Sequence, residues 1–288
     1  MMADASFTHD TVPTQFVEVN RITFAYRRWG AAGKTPIVLT QFFRGTMDNF
    51  DPAITNALAS GREVVLFDNT GVGSSSGSAK TTVDEMAADA EGFIDALGLR
   101  QVDLMGHSMG GEVAQLIASA RPDLVRRLVL VGTGPRGGEG MSAQRPETAE
   151  LFAKTYERQD EMWLPIMFSP SARSQAAGRA YLDRIRARPD RDQPVSEATL
   201  LAHRQAAGAW GQPDDTDFAY LTKIAQPTLV VNGHDDIVIA TVNSFILQQR
   251  ISNAYLLLYP DSNHGSHFQY PDQFVGALTA FLDSDLSR

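Results

Sequence analysis

Short apolar runs rich in β-branched residues alternate with helical stretches along most of this chain of 288 residues. The runs with strand character are 16–19, 22–26, 36–40, 63–67, 102–105, 127–131, 227–231 and 254–259. The clearest helical stretches are 54–60, 83–97, 109–120 and 271–282. This alternation is typical of a mostly parallel sheet with helices on both faces, because parallel strands need long crossover connections. The sequence therefore predicts an α/β fold with eight strands, of which the first two form an antiparallel hairpin at the sheet edge.

The alternation stops between about residues 134 and 218, where the sequence becomes helical, charged and interrupted by proline. We interpret this segment as a helical cap inserted into a core formed by residues 1–133 and 219–288. The cap contains the apolar cluster Met162, Trp163, Leu164, Met167 and Phe168. Such side chains either line a pocket or hold the cap together, and the sequence leaves both roles open.

Composition narrows the possible partners. With 25 basic and 34 acidic residues the net charge is −9, which disfavours binding to nucleic acid and to anionic membranes. The chain has no cysteine, which excludes disulfides, thiolate metal sites and a cysteine nucleophile.

Residues 1–16 lack the pattern of a secretory signal, and no later segment approaches the roughly 20 apolar residues of a membrane span. We expect a soluble, cytoplasmic protein with a small-molecule partner; no pattern indicates an oligomeric state.

Residues 106–110 read Gly-His-Ser-Met-Gly and stand between a predicted strand and a predicted helix. A tight turn in this position strains the backbone of Ser108 and projects its hydroxyl above the sheet, and the flanking glycines leave room for the bend. The following helix directs its N-terminal N–H groups toward the same point, so Met109 is expected to donate its N–H to an oxyanion. A chance glycine turn before a helix would give the same five residues, but the flanking strand and helix favour a nucleophile.

These ordered motifs resemble those of the α/β-hydrolase superfamily over nearly the whole chain outside the cap. After the third strand the family usually has a His-Gly segment, and the next residue supplies an oxyanion N–H. Gln41 and Phe42 replace that pair here, so the resemblance implies Phe43 as the second donor. The stretch 68–74 is similar to the D-x-x-G-x-G-x-S turn of the family. A dinucleotide loop is the alternative, but its G-x-G-x-x-G spacing is absent, and we expect a structural turn.

The resemblance also implies the order serine, acid, histidine along the chain. The family's G-x-x-D pattern, counted from Gly233, selects Asp236, and Asp235 is the neighbouring alternative. In the loop after the eighth strand, His264 occupies the register of the catalytic histidine, with His267 as its rival. We assign packing to His267. No site surrounds His9, His203 or His234 in the sequence, and no metal or cofactor is expected.

The sequence predicts a serine hydrolase that cleaves a carboxylic ester of a small molecule through an acyl-enzyme on Ser108. The candidate pocket residues are Phe42, His107, Trp163, Met167 and Phe168, and His107 is also expected to pack beside the nucleophile. Lactones and other C–O, C–N or C–C bonds are alternative substrates on this fold. A binding protein without turnover and a scaffold with an acidic surface are the alternatives from other classes.

Overall fold

A computed structural model describes residues 7–213 and 216–285. Residues 1–6, 214–215 and 286–288, which the predicted core and cap ranges include, lie outside the described residues.

The described residues contain one sheet of eight strands in the order β1-β2-β4-β3-β5-β6-β7-β8. The strands are β1 (Gln15–Val19), β2 (Ile22–Gly30), β3 (Ile37–Thr40), β4 (Glu63–Phe67), β5 (Val102–His107), β6 (Val125–Val131), β7 (Thr228–Gly233) and β8 (Ala254–Tyr259). β2 lies between β1 and β4 and is antiparallel to both, and the remaining pairs are parallel. The predicted α/β fold with an eight-stranded, mostly parallel sheet is confirmed.

Helices connect these strands and cover the sheet. The α-helices of the described residues are α1 (Pro52–Ala59), α2 (Val83–Ala96), α3 (Met109–Ala120), α4 (Pro146–Ala153), α5 (Trp163–Met167), α6 (Ala172–Ile185), α7 (Glu197–Trp210), α8 (Val242–Arg250), α9 (Ser266–Gln269) and α10 (Pro271–Asp283). In the part of the chain that is described, no helix combines the length and the apolar character needed to cross a bilayer.

Two apolar cores lie on opposite faces of the sheet because successive side chains of a strand point to opposite sides. In β4, Val64 and Leu66 belong to the core shared with α1 and α10, whereas Val65 and Phe67 belong to the core shared with α2 and α3. All four side chains are buried. A strand buried on both faces reads as a continuous apolar run, which explains why these strands could be recognised in the sequence.

The segment 134–218 stands between β6 and β7, which are direct neighbours in the sheet. It contains α4 to α7, and within its described residues there is no strand. Two side chains of its helix α6, Tyr181 and Arg184, contact the core. The ring of Tyr181 stacks on Phe268 with centroids 4.6 Å apart, and its hydroxyl donates to the carbonyl oxygen of Asn49 at 2.7 Å. Arg184 forms a bidentate ion pair with Asp51 at 2.7 and 2.6 Å, a geometry that fixes orientation as well as distance.

The turn after β4 is built around a buried carboxylate. Asp68 accepts the N–H groups of Met47 at 2.8 Å and Ser74 at 3.3 Å. Gly73 has φ +51°, and a side chain there would overlap the Asp68 carboxylate, so the position requires glycine. This hydrogen bonding closes the turn and joins it to the segment before α1, in keeping with a structural turn.

His9 is a buried histidine with polar partners from distant segments. His9 is buried, and its Nδ1 lies 2.9 Å from the hydroxyl oxygen of Thr55. Burial and the nearby charge of Arg27 lower the pKa of His9 to about 3, so the ring is neutral. Arg27 itself is paired with Asp48 at 2.5 Å. These partners come from distant segments, which is why the sequence around His9 does not reveal them.

Candidate active site

Ser108 lies in a strained turn between β5 and α3. Its backbone has φ 56° and ψ −123°, a conformation that costs a non-glycine residue about 1–3 kcal/mol and is kept only where the surroundings enforce it. The N–H of Ser108 donates to the carbonyl oxygen of Val131 at 2.8 Å, which ties the turn to β6. The side chain reaches a cavity at the carboxyl edge of the sheet.

The glycines around Ser108 are required by close backbone approach. A Cβ on Gly106 would overlap the carbonyl of Gly110, and a Cβ on Gly110 would overlap the carbonyl of Thr40. On Gly111 it would lie 2.6 Å from the Cβ of Thr133. Helix α3 therefore begins directly against β3 and against the segment that follows β6, at a distance that only glycine permits.

His264 and Asp236 form a buried pair at the same edge. Nδ1 of His264 lies 2.8 Å from Oδ2 of Asp236, and the residues are 3% and 2% exposed. The other carboxylate oxygen, Oδ1, accepts the N–H groups of Val238 at 2.8 Å and Ile239 at 3.0 Å. An ionised carboxylate only accepts hydrogen bonds, so Nδ1 of His264 is the donor and Nε2 is left as a base.

The alternative acid, Asp235, faces solvent. Its carboxylate pairs with His234 at 2.9 Å, and both side chains are 70% exposed. The structure therefore brings Asp236, and not Asp235, to His264. Asn263 holds the loop in place, because its Oδ1 accepts the N–H groups of both His264 and Ile237.

Two further imidazoles pack beside His264. The ring of His107 lies 5.0 Å from that of His264 and 4.5 Å from that of His267, and its Nε2 is 3.1 Å from the backbone oxygen of His264. Burial and the neighbouring imidazoles hold the pKa values of His107 and His267 well below their ordinary value, so both rings are neutral. His267 lies in α9 against Phe268 and Phe274, in agreement with the packing assigned to it. Among residues 7–213 and 216–285, no three His, Asp or Glu side chains are grouped so that they could hold a metal ion.

A cavity of about 330 Å³ connects the candidate nucleophile and base. Its lining includes Ser108 and His264 together with three of the predicted pocket residues, namely Phe42, Trp163 and Met167. Helical residues of the segment 134–218 thus reach the same space as the core residues.

Two predicted pocket residues lie outside this lining, which corrects the sequence-based expectation. The ring of His107 is buried and lies 4.9 Å from that of Phe42, which does line the cavity. Phe168 is buried against Tyr181, at 5.7 Å between ring centroids, and against the backbone of Gly178. Phe168 therefore holds the inserted helices together, which is the packing role that the sequence had left open.

Phe43 and Met109, the predicted oxyanion donors, both line the cavity. Met109 is the first residue of α3, where N–H groups have no acceptor within the helix. Within the described residues the N–H of Phe43 donates no hydrogen bond. The next N–H, that of Arg44, donates to Nδ1 of His203 at 3.3 Å, and Arg44 has a positive φ of 64°. The buried imidazole of His203 thus supports the loop of the second predicted donor, a contact that no pattern in the sequence indicates.

Residues that sequence reasoning missed also line the cavity, among them Glu112, Arg204, Met141 and Phe152. Glu112 is the most unusual of them because burial raises the pKa of this carboxyl group to about 8. One signal was present in the sequence: Glu112 is an acidic residue four positions after the nucleophile, in a helix whose other buried residues are apolar apart from Gln115. The others are separated from the motifs by long stretches of sequence and carried no comparable signal.

A serine on a strand-to-helix turn, with a buried His–Asp pair from the loops after β8 and β7, is the site architecture of hydrolases built on a parallel α/β sheet. Residues 35–271 match the family described as alpha/beta hydrolase fold, and the chain belongs to this family.

Known proteins similar to this chain agree with that assignment. A solved structure of an alpha/beta hydrolase fold protein from Chitinophaga pinensis is 40% identical, superposes with a TM-score of 0.90, and the match covers 97% of this chain and 100% of that one. The pimeloyl-[acyl-carrier protein] methyl ester esterase of Nitrosomonas europaea is 30% identical over 220 residues, which is 74% of this chain and 82% of the relative. The 2-hydroxy-6-oxononadienedioate/2-hydroxy-6-oxononatrienedioate hydrolase 1 of Dechloromonas aromatica is 27% identical over 246 residues, 81% of each chain. The family and these relatives indicate a hydrolase.

Proposed function

We propose that this protein is a serine hydrolase that cleaves a carboxylic ester bond of a small molecule through an acyl-enzyme on Ser108. The observation that carries the proposal is the buried His264–Asp236 pair at 2.8 Å, which shares one cavity with a serine held at φ 56°. A structural histidine would not need a buried carboxylate on one nitrogen and a cavity beside its ring. The relative named as a methyl ester esterase supports the ester as substrate.

In the proposed mechanism the hydroxyl of Ser108 attacks the ester carbonyl while Nε2 of His264 removes its proton. Asp236 fixes the tautomer of His264 and stabilises the imidazolium that forms. The N–H groups of Phe43 and Met109 donate to the oxyanion of the tetrahedral intermediate. His264 then protonates the leaving alcohol, and a water molecule activated by the same imidazole hydrolyses the acyl-enzyme. This sequence of steps uses only protein groups and water.

The proposed substrate is small because the cavity is small. A volume of about 330 Å³ lies at the lower end of ligand pockets, and most of the side chains that surround it are apolar. We propose that residues 134–218 act as a cap over the core formed by residues 1–133 and 219–288, since Trp163, Met167 and Phe152 close the cavity from the inserted side. The cytoplasmic location stays a prediction.

A fluorophosphonate probe tests the nucleophile directly, because it modifies a serine only where a base and an oxyanion site activate it. We expect one adduct per chain, located by peptide mass spectrometry on Ser108, and no adduct in Ser108→Ala. Ser142→Ala is the matched control, since Ser142 lines the same cavity but does not stand on the strand-to-helix turn, and it should label as the wild type does. Absence of an adduct from the folded wild-type protein, or labelling that persists in Ser108→Ala, would favour a binding protein without turnover.

The bond that is cleaved is tested with p-nitrophenyl esters of two to eight acyl carbons beside a panel of lactones. We expect hydrolysis of short and medium esters, with a decline once the acyl chain exceeds the length of the cavity. A protein that opens lactones and leaves every acyclic ester intact would keep the mechanism but contradict the proposed substrate.

A further inference from the structure

Glu112 is a buried carboxyl group in the proposed catalytic cavity, and the mechanism does not use it. It lines the cavity together with Ser108 and His264, although only 3% of the residue is exposed. Its Oε2 has no hydrogen-bond partner among the described residues, and no ion pair to Glu112 is present among them. Burying a polar group without a partner costs free energy, so such groups in folded proteins usually meet a ligand or water.

The position of Glu112 directs it toward the reacting centre. It lies three residues, about 4.5 Å along the helix axis, beyond the start of α3 at Met109. Side chains on a helix tilt toward its N-terminus, so the carboxyl group extends back toward the turn that holds Ser108. A ligand atom that meets Glu112 is therefore only a few bonds from an ester carbonyl seated at Ser108.

The charge state of Glu112 determines which ligand atom it can bind. Because burial raises its pKa to about 8, the group carries a proton at neutral pH and can donate a hydrogen bond. The other charged or titratable side chains that line the cavity are Arg204, from α7, and His264. The guanidinium of Arg204 disfavours a cationic substrate here, and a protonated carboxyl group needs an acceptor, so an oxygen acceptor is the matching ligand atom.

We propose that Glu112 is a specificity-determining residue whose carboxyl group donates a hydrogen bond to an ether or carbonyl oxygen of the substrate, a few bonds from the ester carbonyl. This rests on the proposed esterase function and narrows its substrate class to oxygen-substituted esters. A plain hydrocarbon chain in the same place would leave the buried carboxyl group unpaired, and a site of that kind discriminates against the analogue that lacks the acceptor.

The test uses pairs of esters that differ by one oxygen in place of a methylene group. p-Nitrophenyl 3-methoxypropanoate is compared with p-nitrophenyl pentanoate for the acyl side, and 2-methoxyethyl acetate with butyl acetate for the alcohol side. The measured quantity is kcat/KM of the oxygen-containing ester divided by kcat/KM of its hydrocarbon partner. This ratio is determined for each pair in the wild type, in Glu112→Met and in Glu112→Gln. The intrinsic reactivity of each ester is common to all variants, so it cancels when the ratios are compared.

For at least one pair, we expect the ratio to be about 10-fold higher in the wild type than in Glu112→Met, the effect of one neutral hydrogen bond. Glu112→Gln keeps an N–H donor and should retain most of the preference. The wild-type ratio should fall as the pH rises above about 8, where Glu112 loses its proton, whereas the ratio in Glu112→Gln should not change. Arg204 and His264 face both esters of a pair equally, so their effects cancel in the ratio.

Equal ratios in the wild type and in Glu112→Met for both pairs would overturn the role of Glu112 while leaving the esterase function intact. A wild-type ratio that does not change between pH 7 and pH 9.5 would overturn it as well, and this measurement requires no folded Met variant. If the wild-type protein hydrolyses no ester and Ser108 is not labelled, the proposed function fails and the inference fails with it.

Discussion

Replacing Asp236 by asparagine is expected to lower kcat by about 10⁴-fold while the protein remains folded. Oδ1 of the new side chain can still accept the N–H groups of Val238 and Ile239, so the turn after β7 survives. The amide NH₂ then faces Nδ1 of His264, where the carboxylate oxygen now lies at 2.8 Å. An NH₂ group cannot accept the proton of Nδ1, so the ring adopts the other tautomer and Nε2 is no longer available as a base.

Asp235→Asn is the matched control for this substitution. It makes the same chemical change one residue earlier, on a carboxylate that is 70% exposed and paired with His234. The kcat for a p-nitrophenyl ester should be close to that of the wild type, and the melting temperatures of all three proteins should be similar. If Asp236→Asn retained most of the wild-type kcat, or if Asp235→Asn lost as much, the assignment of the acid would be wrong.

The sheet and the strand-to-helix turn could be predicted because their physical requirements act within a few residues. A strand buried on both faces must be apolar along its length, and for β4 the predicted bounds, 63–67, are those of the structure. The turn at Ser108 needs glycine where backbones meet, and Gly106 and Gly110 stand at those positions. Such constraints appear in the sequence itself as composition and spacing.

The shape of the cavity could not be predicted, because it depends on contacts between distant segments. His203 binds the N–H of Arg44, which is 159 positions away in the chain, and nothing near His203 in the sequence indicates this. Phe168 and Met167 are adjacent and both apolar, yet only Met167 reaches the cavity. The packing of α5 against α6 decides which of two neighbouring apolar residues faces the cavity. The spacing of apolar residues in the sequence does not reveal that packing.

Replacing Asp103 by alanine is expected to lower the free energy of unfolding by about 3 kcal/mol. Asp103 is fully buried in β5 and accepts hydrogen bonds from Arg126 at 2.9 and 2.6 Å and from Arg62 at 3.0 Å. Removing the carboxylate leaves Arg62, which is also buried, without one of its two acidic partners. We place the loss at the lower end of the range for broken buried ion pairs because Arg62 keeps its contact with Asp283 at 2.6 Å.

Asp95→Ala separates the effect of burial from that of a lost ion pair, because Asp95 binds Arg121 at 3.2 Å on the surface. Exposed pairs contribute about 0–1 kcal/mol, so the urea midpoint of this variant should stay near that of the wild type. Asp103 lies five residues before Ser108 along β5, about 16 Å in an extended strand, so kcat of the folded Asp103→Ala protein should be unchanged. Equal midpoints for the two variants would mean that the amino edge of the sheet tolerates the loss of the Asp103 carboxylate beside Arg62, and that the buried ion pair adds little to stability there.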